Sequence, residues 1–216
     1  MTETASDTAD LSSPTTTEAP SSPSRRDRVA RVVTEVFAPA VLATVMPVVM
    51  ALHDADSWPA AVGWAVVAVI FCSAIPYGVI LVGVRRGWLS DRHIGRREQR
   101  LKPLLVGIGS VITGLGLLVA FDAPDLLTAM VAVMLVVLAG IAAVNTVWKL
   151  SAHAGVAAGS LISLVLVFGP WMLVATPLVA LVAWSRVQLT DHTTPQVIAG
   201  TVMGASLAAI VWLPMM

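Results

Sequence analysis

The sequence predicts an all-α protein, a polytopic transmembrane bundle of about seven helices. Hydrophobic residues make up 57% of the 216 positions and charged residues only 12%. The mean hydropathy of +0.85 is well above the balance of soluble domains. The apolar residues also stand in blocks, and each block approaches the roughly 20 residues that a helix needs to cross a bilayer. A chain of this length built from such blocks has no room for a second folded domain.

The N-terminal segment differs from the rest of the chain. The first 24 residues are rich in Ser, Thr and Pro, and a segment with so few apolar residues is expected to be disordered. It lacks the apolar stretch of a cleavable signal peptide. We therefore divide the chain into a polar tail, residues 1–28, and a transmembrane domain, residues 29–216.

Seven apolar segments account for the predicted helices. The first contains Glu35, Pro39 and Pro47, which interrupt its apolar pattern, and Gly169-Pro170 marks a turn between two shorter helices. The predicted helices cover residues 29–52, 59–84, 104–121, 126–148, 154–168, 171–184 and 195–213.

Basic residues are confined to one face of such a bundle. With seven spans, all 13 Lys and Arg residues fall in the N-terminal segment, the loop 85–103, the junction at Lys149 and the segment 185–194. The loops of the opposite face carry Asp54, Asp56, Asp122 and Asp125. The positive-inside rule then predicts a multi-pass protein of the cell membrane whose N-terminus and basic face are cytoplasmic. Arginines that bind an anion would add to this bias, but most of the positive charge remains without them.

Three polar segments meet on the basic face, namely residues 91–103, 149–155 and 184–196. They offer histidines, guanidinium groups and hydroxyls at the starts of helices. The chain has no Cys/His cluster, so neither a metal site nor another cofactor is predicted. Cys72 is the single cysteine, which excludes an internal disulfide.

Helix starts and glycine spacing suggest how these segments come together. Ser151 is placed to cap the fifth helix, whose first N–H groups would form an anion site, and Thr194-Pro195 has the same pattern before the seventh. Each of these two helices has a GxxxG pair, which favours close packing and would bring His153 and His192 together. The pairs are Gly155 with Gly159 and Gly200 with Gly204. The alternative is that these glycines only pack the two helices together, without any catalytic consequence.

This set of side chains suits phosphoryl transfer without a metal. Arginine binds phosphate oxygens bidentately, one histidine can attack the phosphorus, and a second can protonate the leaving oxygen. Two simpler interpretations remain: histidines at a membrane surface are often just solvated, and a basic loop there often binds anionic headgroups.

Two motifs resemble signatures of the type 2 phosphatidic acid phosphatase family (PAP2). Ser185-Arg186, five further residues and His192 resemble the third signature, SRxxxxxHxxxD. Ser151-Ala152-His153 resembles the second, PSGH, with Leu150 in place of Pro and Ala152 in place of Gly. The resemblance covers roughly residues 91–216.

The resemblance implies a role for each matching residue. His192 would be the nucleophile that forms a phosphohistidine, and His153 the general acid for the leaving group. Phosphate would be bound by Ser151, the Ala152 backbone, Ser185, Arg186, Arg97 and Arg100. The implied substrate is a lipid phosphate or diphosphate, either isoprenoid or phosphatidate-like, taken from the surrounding membrane lipids; no nucleic acid partner and no metal are implied.

The chain departs from the family pattern at several positions. Of the first signature, KxxxxxxRP, only Arg100 matches, with His93 in place of Lys and Leu101 in place of Pro; Arg92, Arg96 and Arg97 lie near enough to substitute. Gln196 takes the position of the aspartate that orients the nucleophile. Its carbonyl oxygen can accept an imidazole N–H but cannot stabilise a charged imidazolium as a carboxylate does.

Two further expectations follow from these departures. Asp191 adjoins His192 in sequence but is expected to point away from it. The family usually places its site outside the cytoplasm, whereas the charges here predict a cytoplasmic site.

The alternative function is a catalytically degenerate membrane protein that binds lipid phosphate headgroups.

Overall fold

Helices form nearly all of the chain that the structure describes. The computed structural model describes residues 24–91, 99 and 101–215, and the polar tail therefore lies almost wholly outside the described residues. Within them there is no strand. The α-helices are α1 (Arg25–Val36), α2 (Pro39–Asp54), α3 (Trp58–Val69), α4 (Ile75–Arg85), α5 (Leu101–Ala120), α6 (Asp125–Asn145), α7 (Ala152–Phe168), α8 (Thr176–Gln188) and α9 (Thr194–Trp212).

The helices are those of an integral membrane protein. Five helical segments are long and apolar enough to cross a bilayer, and the bent pair α1–α2 provides a sixth if it counts as one span. The apolar α7 has 17 residues and completes the seven segments that the sequence predicts. A polytopic helical bundle is thus confirmed.

The first predicted helix is divided in two, so the expectation of one helix over residues 29–52 is wrong. The axes of α1 and α2 differ by 43°. Ala38 is extended, with φ −60° and ψ 144°, because the ring of Pro39 disfavours the helical conformation in the residue before it. Ser24 caps α1, its Oγ accepting from the Asp27 N–H at 3.1 Å, and the helix begins before the predicted residue 29.

The second predicted helix is one span with a wide turn at its middle. Residues Ile70–Ala74 between α3 and α4 are π-helical, and such turns often occur at functional sites. Phe71 within this turn packs against Gly114 of α5, where an added Cβ would lie 2.6 Å from the Phe71 Cβ. The Ser110 hydroxyl donates to the carbonyl of Phe71 at 2.6 Å. The turn is therefore held firmly against α5.

Glycines bring the backbones of α7 and α9 into contact, as the GxxxG pairs predict. A Cβ on Gly200 would lie 2.6 Å from the Ser151 carbonyl oxygen, and one on Gly159 would lie 3.2 Å from that of Gly204. A Cβ on Gly204 would overlap the backbone of Gly155. The Ser151 N–H also donates to the carbonyl of Gln196 at 3.3 Å. The N-terminal ends of these two helices are thus adjacent.

We predict that Gly204→Val destabilises the bundle, because the new side chain would meet the backbone of Gly155 rather than a movable side chain. Overpacking of this kind costs about 1–3 kcal/mol, which lowers the unfolding midpoint by roughly 3–10 °C at this chain length. Thermal unfolding of the detergent-solubilised protein measures the shift. Gly116→Ala is the control, since a Cβ there meets nothing within 4 Å; equal effects of the two substitutions would contradict the packing.

Candidate functional site

A tight turn after α8 brings the polar residues of the third segment together. The N–H groups of Asp191 and His192 both donate to the carbonyl of Arg186, at 3.2 Å each. Thr190 closes the turn with φ 55°, an unusual conformation for a β-branched residue, which costs on the order of 1–3 kcal/mol. The turn carries the side chains of Asp191 and His192 back towards Arg186.

Arg186 is buried, with 3% of its surface exposed. One terminal nitrogen lies 2.9 Å from the carboxylate of Asp191, and the other donates to the Thr34 hydroxyl at 3.3 Å. The Nε–H has no acceptor among the described residues. A guanidinium buried with an unsatisfied donor is costly unless an anion completes its hydrogen bonds.

Thr34 links α1 to this site and was not identified from the sequence. It is 2% exposed, and its hydroxyl lies 3.2 Å from that of Ser185. Ser185 donates to the carbonyl of Val182 at 2.7 Å, so it faces α1 and does not line the cavity described below. Near the other end of α1, Gln188 donates to the Asp27 carboxylate at 2.9 Å. These contacts fasten α1 along α8.

Gln196 determines which nitrogen of His192 carries the proton. The Gln196 carbonyl oxygen accepts from the Thr193 backbone N–H at 3.2 Å, which fixes that atom as the oxygen of the amide. His192 Nδ1 lies 3.3 Å from the same oxygen and must therefore be the donor. In neutral His192 the lone pair is then on Nε2.

The start of α9 corrects one detail of the sequence prediction. Thr194 is the first residue of α9, and Thr193, not Thr194, is the N-cap. Proline is well accommodated here because the first turn of a helix needs no N–H from it. His192 consequently lies one residue before the cap and is 6% exposed.

His153 lies at the start of α7, which Ser151 caps and which follows a turn held by Asn145. The Ala154 N–H points to the Ser151 hydroxyl at 3.5 Å, so Ser151 is the N-cap, as predicted. Asn145 ends α6 and was missed by the sequence argument; its side-chain oxygen accepts from the Leu150 N–H at 3.4 Å. His153 is 6% exposed.

The candidate residues converge on one cavity of about 480 Å³. Its charged and imidazole side chains are Glu35, His153, Arg186 and His192, and Ala152 and Asn145 also line it near the start of α7 and the end of α6. The remaining walls come from α2, α4, α5, α6 and α7 and are largely apolar, with Leu42, Met46, Ile80, Leu104, Met134 and Leu138 among them. The site is thus a polar end joined to an apolar chamber.

The predicted site residues therefore fall into four groups. His153, Arg186 and Ala152 share the cavity with His192, while Ser151 and Gln196 support them from behind. Ser185 is turned towards Thr34. Arg97 and Arg100 lie outside the described residues, as do Arg92, His93 and Arg96. In the described part of the chain, no group of three or more His, Cys, Asp or Glu residues could hold a metal ion.

The Asp191 carboxylate is directed towards Arg186. It pairs with the guanidinium while 41% of the Asp191 side chain remains exposed. Asp91 and Glu35 also act on the charge of Arg186. The first and third polar segments of the sequence, in their described parts, thus meet at this guanidinium, and the second reaches the same cavity through His153.

The chain matches no protein-family model, no curated protein and no solved structure. The resemblance to the phosphatase family consequently depends on the two motifs and stays a prediction.

We predict that neutral His192 is protonated on Nδ1, because Gln196 offers it only an acceptor. A long-range ¹H–¹⁵N correlation spectrum of histidine-labelled protein distinguishes the two tautomers directly. Gln196→Leu removes the acceptor and should shift His192 towards a mixture of tautomers, while His53, at the far end of α2, keeps its spectrum. Protonation of His192 on Nε2 in the wild type would contradict the assigned geometry.

Proposed function

We propose that this protein is a membrane-embedded phosphatase that hydrolyses a lipid phosphate or diphosphate through a phosphohistidine. The observation that carries the proposal is the placement of His153, Arg186 and His192 on one cavity, with an unsatisfied N–H on the buried guanidinium. A phosphate group supplies acceptor oxygens for the guanidinium N–H that the described residues leave unsatisfied.

The apolar chamber supports a lipid as the carrier of the phosphate. Its walls include α4, α5 and α6, which belong to helical segments long and apolar enough to span a bilayer. A hydrocarbon chain lodged there would place a polar headgroup between Arg186 and the two histidines. Isoprenoid and phosphatidate-like lipids both satisfy this arrangement.

The reaction would proceed in two displacements at phosphorus. The lone pair on His192 Nε2 forms a bond to phosphorus, and the bond from phosphorus to the leaving oxygen breaks while protonated His153 gives that oxygen a proton. Water then attacks the phosphohistidine, His153 accepts a proton from it, and the P–N bond breaks to release phosphate. Gln196 holds the Nδ1 proton throughout, which leaves Nε2 as the attacking atom.

Charge on the transferring group would be stabilised by Arg186 and by the start of α7. The first N–H groups of that helix and the positive end of its dipole favour an anion. Ser151 orients this end by capping the helix. Donors that are fixed before the reaction are the main source of rate enhancement in such sites.

The second candidate function is binding of lipid phosphate without hydrolysis. Gln196 favours it, because an amide cannot stabilise the imidazolium that a carboxylate would support. A headgroup-binding protein would need Arg186 but would not need both histidines. Substitution of each histidine therefore separates the two functions.

We also propose that the site faces the cytoplasm of a cell membrane. The support is that all 13 Lys and Arg residues fall on one predicted face of the bundle, while the loops of the other face are acidic.

We predict that His192→Ala lowers phosphate release by roughly 10³-fold or more, since it removes the nucleophile, and that His153→Ala lowers it by about 10²- to 10⁴-fold. The assay measures inorganic phosphate from an isoprenyl diphosphate and a phosphatidate in detergent, with EDTA present because no proposed step uses a metal.

His53→Ala is the matched control, since His53 packs against Phe168 with ring centroids 4.7 Å apart and ring planes tilted by 53°, and neither residue lines the cavity. Release that survives loss of His192 would refute the phosphohistidine. Binding of both lipids without release by the wild type would favour the second candidate.

A further inference from the structure

We infer that Asp191 occupies the place of a phosphate oxygen at Arg186 and competes with the phosphate group for it, an inference that rests on the proposed function. Its carboxylate lies 2.9 Å from a terminal nitrogen of the guanidinium, within the distance at which a bound phosphate oxygen would lie. Asp191 is therefore an affinity-determining residue, and it acts against binding.

The two partners of this ion pair differ in their freedom to leave it. Arg186 is 3% exposed, whereas the Asp191 side chain is 41% exposed. Arg186 belongs to α8, while Asp191 lies in the turn that follows. A carboxylate so close to solvent can exchange its partner for water at little cost, but a buried guanidinium cannot. When a phosphate anion binds to Arg186, Asp191 is therefore the partner that moves away.

Thr34 accepts from the other terminal nitrogen of the guanidinium, and it carries no charge that would compete with a phosphate group for Arg186. Its hydroxyl is buried and accepts from Arg186 at 3.3 Å. This contact can persist when Asp191 is displaced, so Arg186 keeps its direction. Thr34 and Asp191 should therefore have opposite effects on phosphate affinity. Asp91 and Glu35 also act on the charge of Arg186, and both remain in every variant below.

The pairing has a consequence for the empty site and for product release. Without a ligand, Asp191 neutralises Arg186 and spares the protein an uncompensated buried charge. After hydrolysis, the same carboxylate competes with inorganic phosphate for the guanidinium. The enzyme thus releases its product more readily than an unopposed arginine would allow.

The test measures binding of inorganic phosphate to the full-length protein in non-ionic detergent by isothermal titration calorimetry. We expect Asp191→Asn to bind phosphate roughly fivefold more tightly than the wild type, as expected for loss of a partly exposed ion pair. Asp191→Glu keeps the carboxylate and should restore weaker binding. Thr34→Val should weaken binding, because it removes the acceptor that orients Arg186.

Asp122→Asn is the charge-matched control, since it removes one negative charge from the loop before α6 and should leave the affinity unchanged. Asp191→Ser carries the same expectation as Asp191→Asn if that variant does not fold. Unchanged or weaker binding in the neutral variants would overturn the competition. Such a result leaves the proposed function intact if the wild type binds inorganic phosphate and releases it from a lipid phosphate. Absence of phosphate binding in the wild type and in all variants would overturn both the competition and the proposed function.

Discussion

A guanidinium buried at the end of a membrane helix must be given partners by the rest of the fold, and Arg186 shows how this is done. Thr34, Asp191 and the turn closed by Thr190 all converge on it. The break before Pro39 serves the same end, because it lets α1 pack against α8 while α2 packs against α3 and α6. A straight first helix could not make both sets of contacts. The unsatisfied Nε–H is what remains for a ligand.

The positions of His153 and His192 depend on a different feature, the close approach of α7 and α9. Glycine at positions 155, 200 and 204 allows backbone to meet backbone, so His153 at the start of one helix and His192 just before the other share a cavity. Neither helix would need such contact for hydrophobic reasons alone, since lipid is as apolar as the helix surface. The apolar chamber lies between α7 and the helices α2, α4, α5 and α6.

Hydropathy blocks predicted the helices well, because the bilayer imposes a length and a composition that local sequence displays directly. The break at Ala38 was missed, since membrane helices often tolerate proline and only the packing of α1 on α8 shows its effect. Motif spacing predicted His153, Arg186 and His192 as site residues, and the three line one cavity. It could not find Thr34, which precedes its partner Arg186 by 152 positions. It also grouped Ser185 with the phosphate ligands, although adjacent helical side chains point about 100° apart, and Ser185 faces Thr34 instead.

Trapping of the covalent intermediate tests the proposed chemistry most directly. The purified protein would be mixed with a ³²P-labelled isoprenyl diphosphate or phosphatidate and quenched within milliseconds in alkali, in which phosphohistidine survives. We expect label in a stable bond to His192, identified by peptide mapping and absent from His192→Ala. Turnover without a labelled protein, or label on a residue other than His192, would contradict the phosphohistidine mechanism.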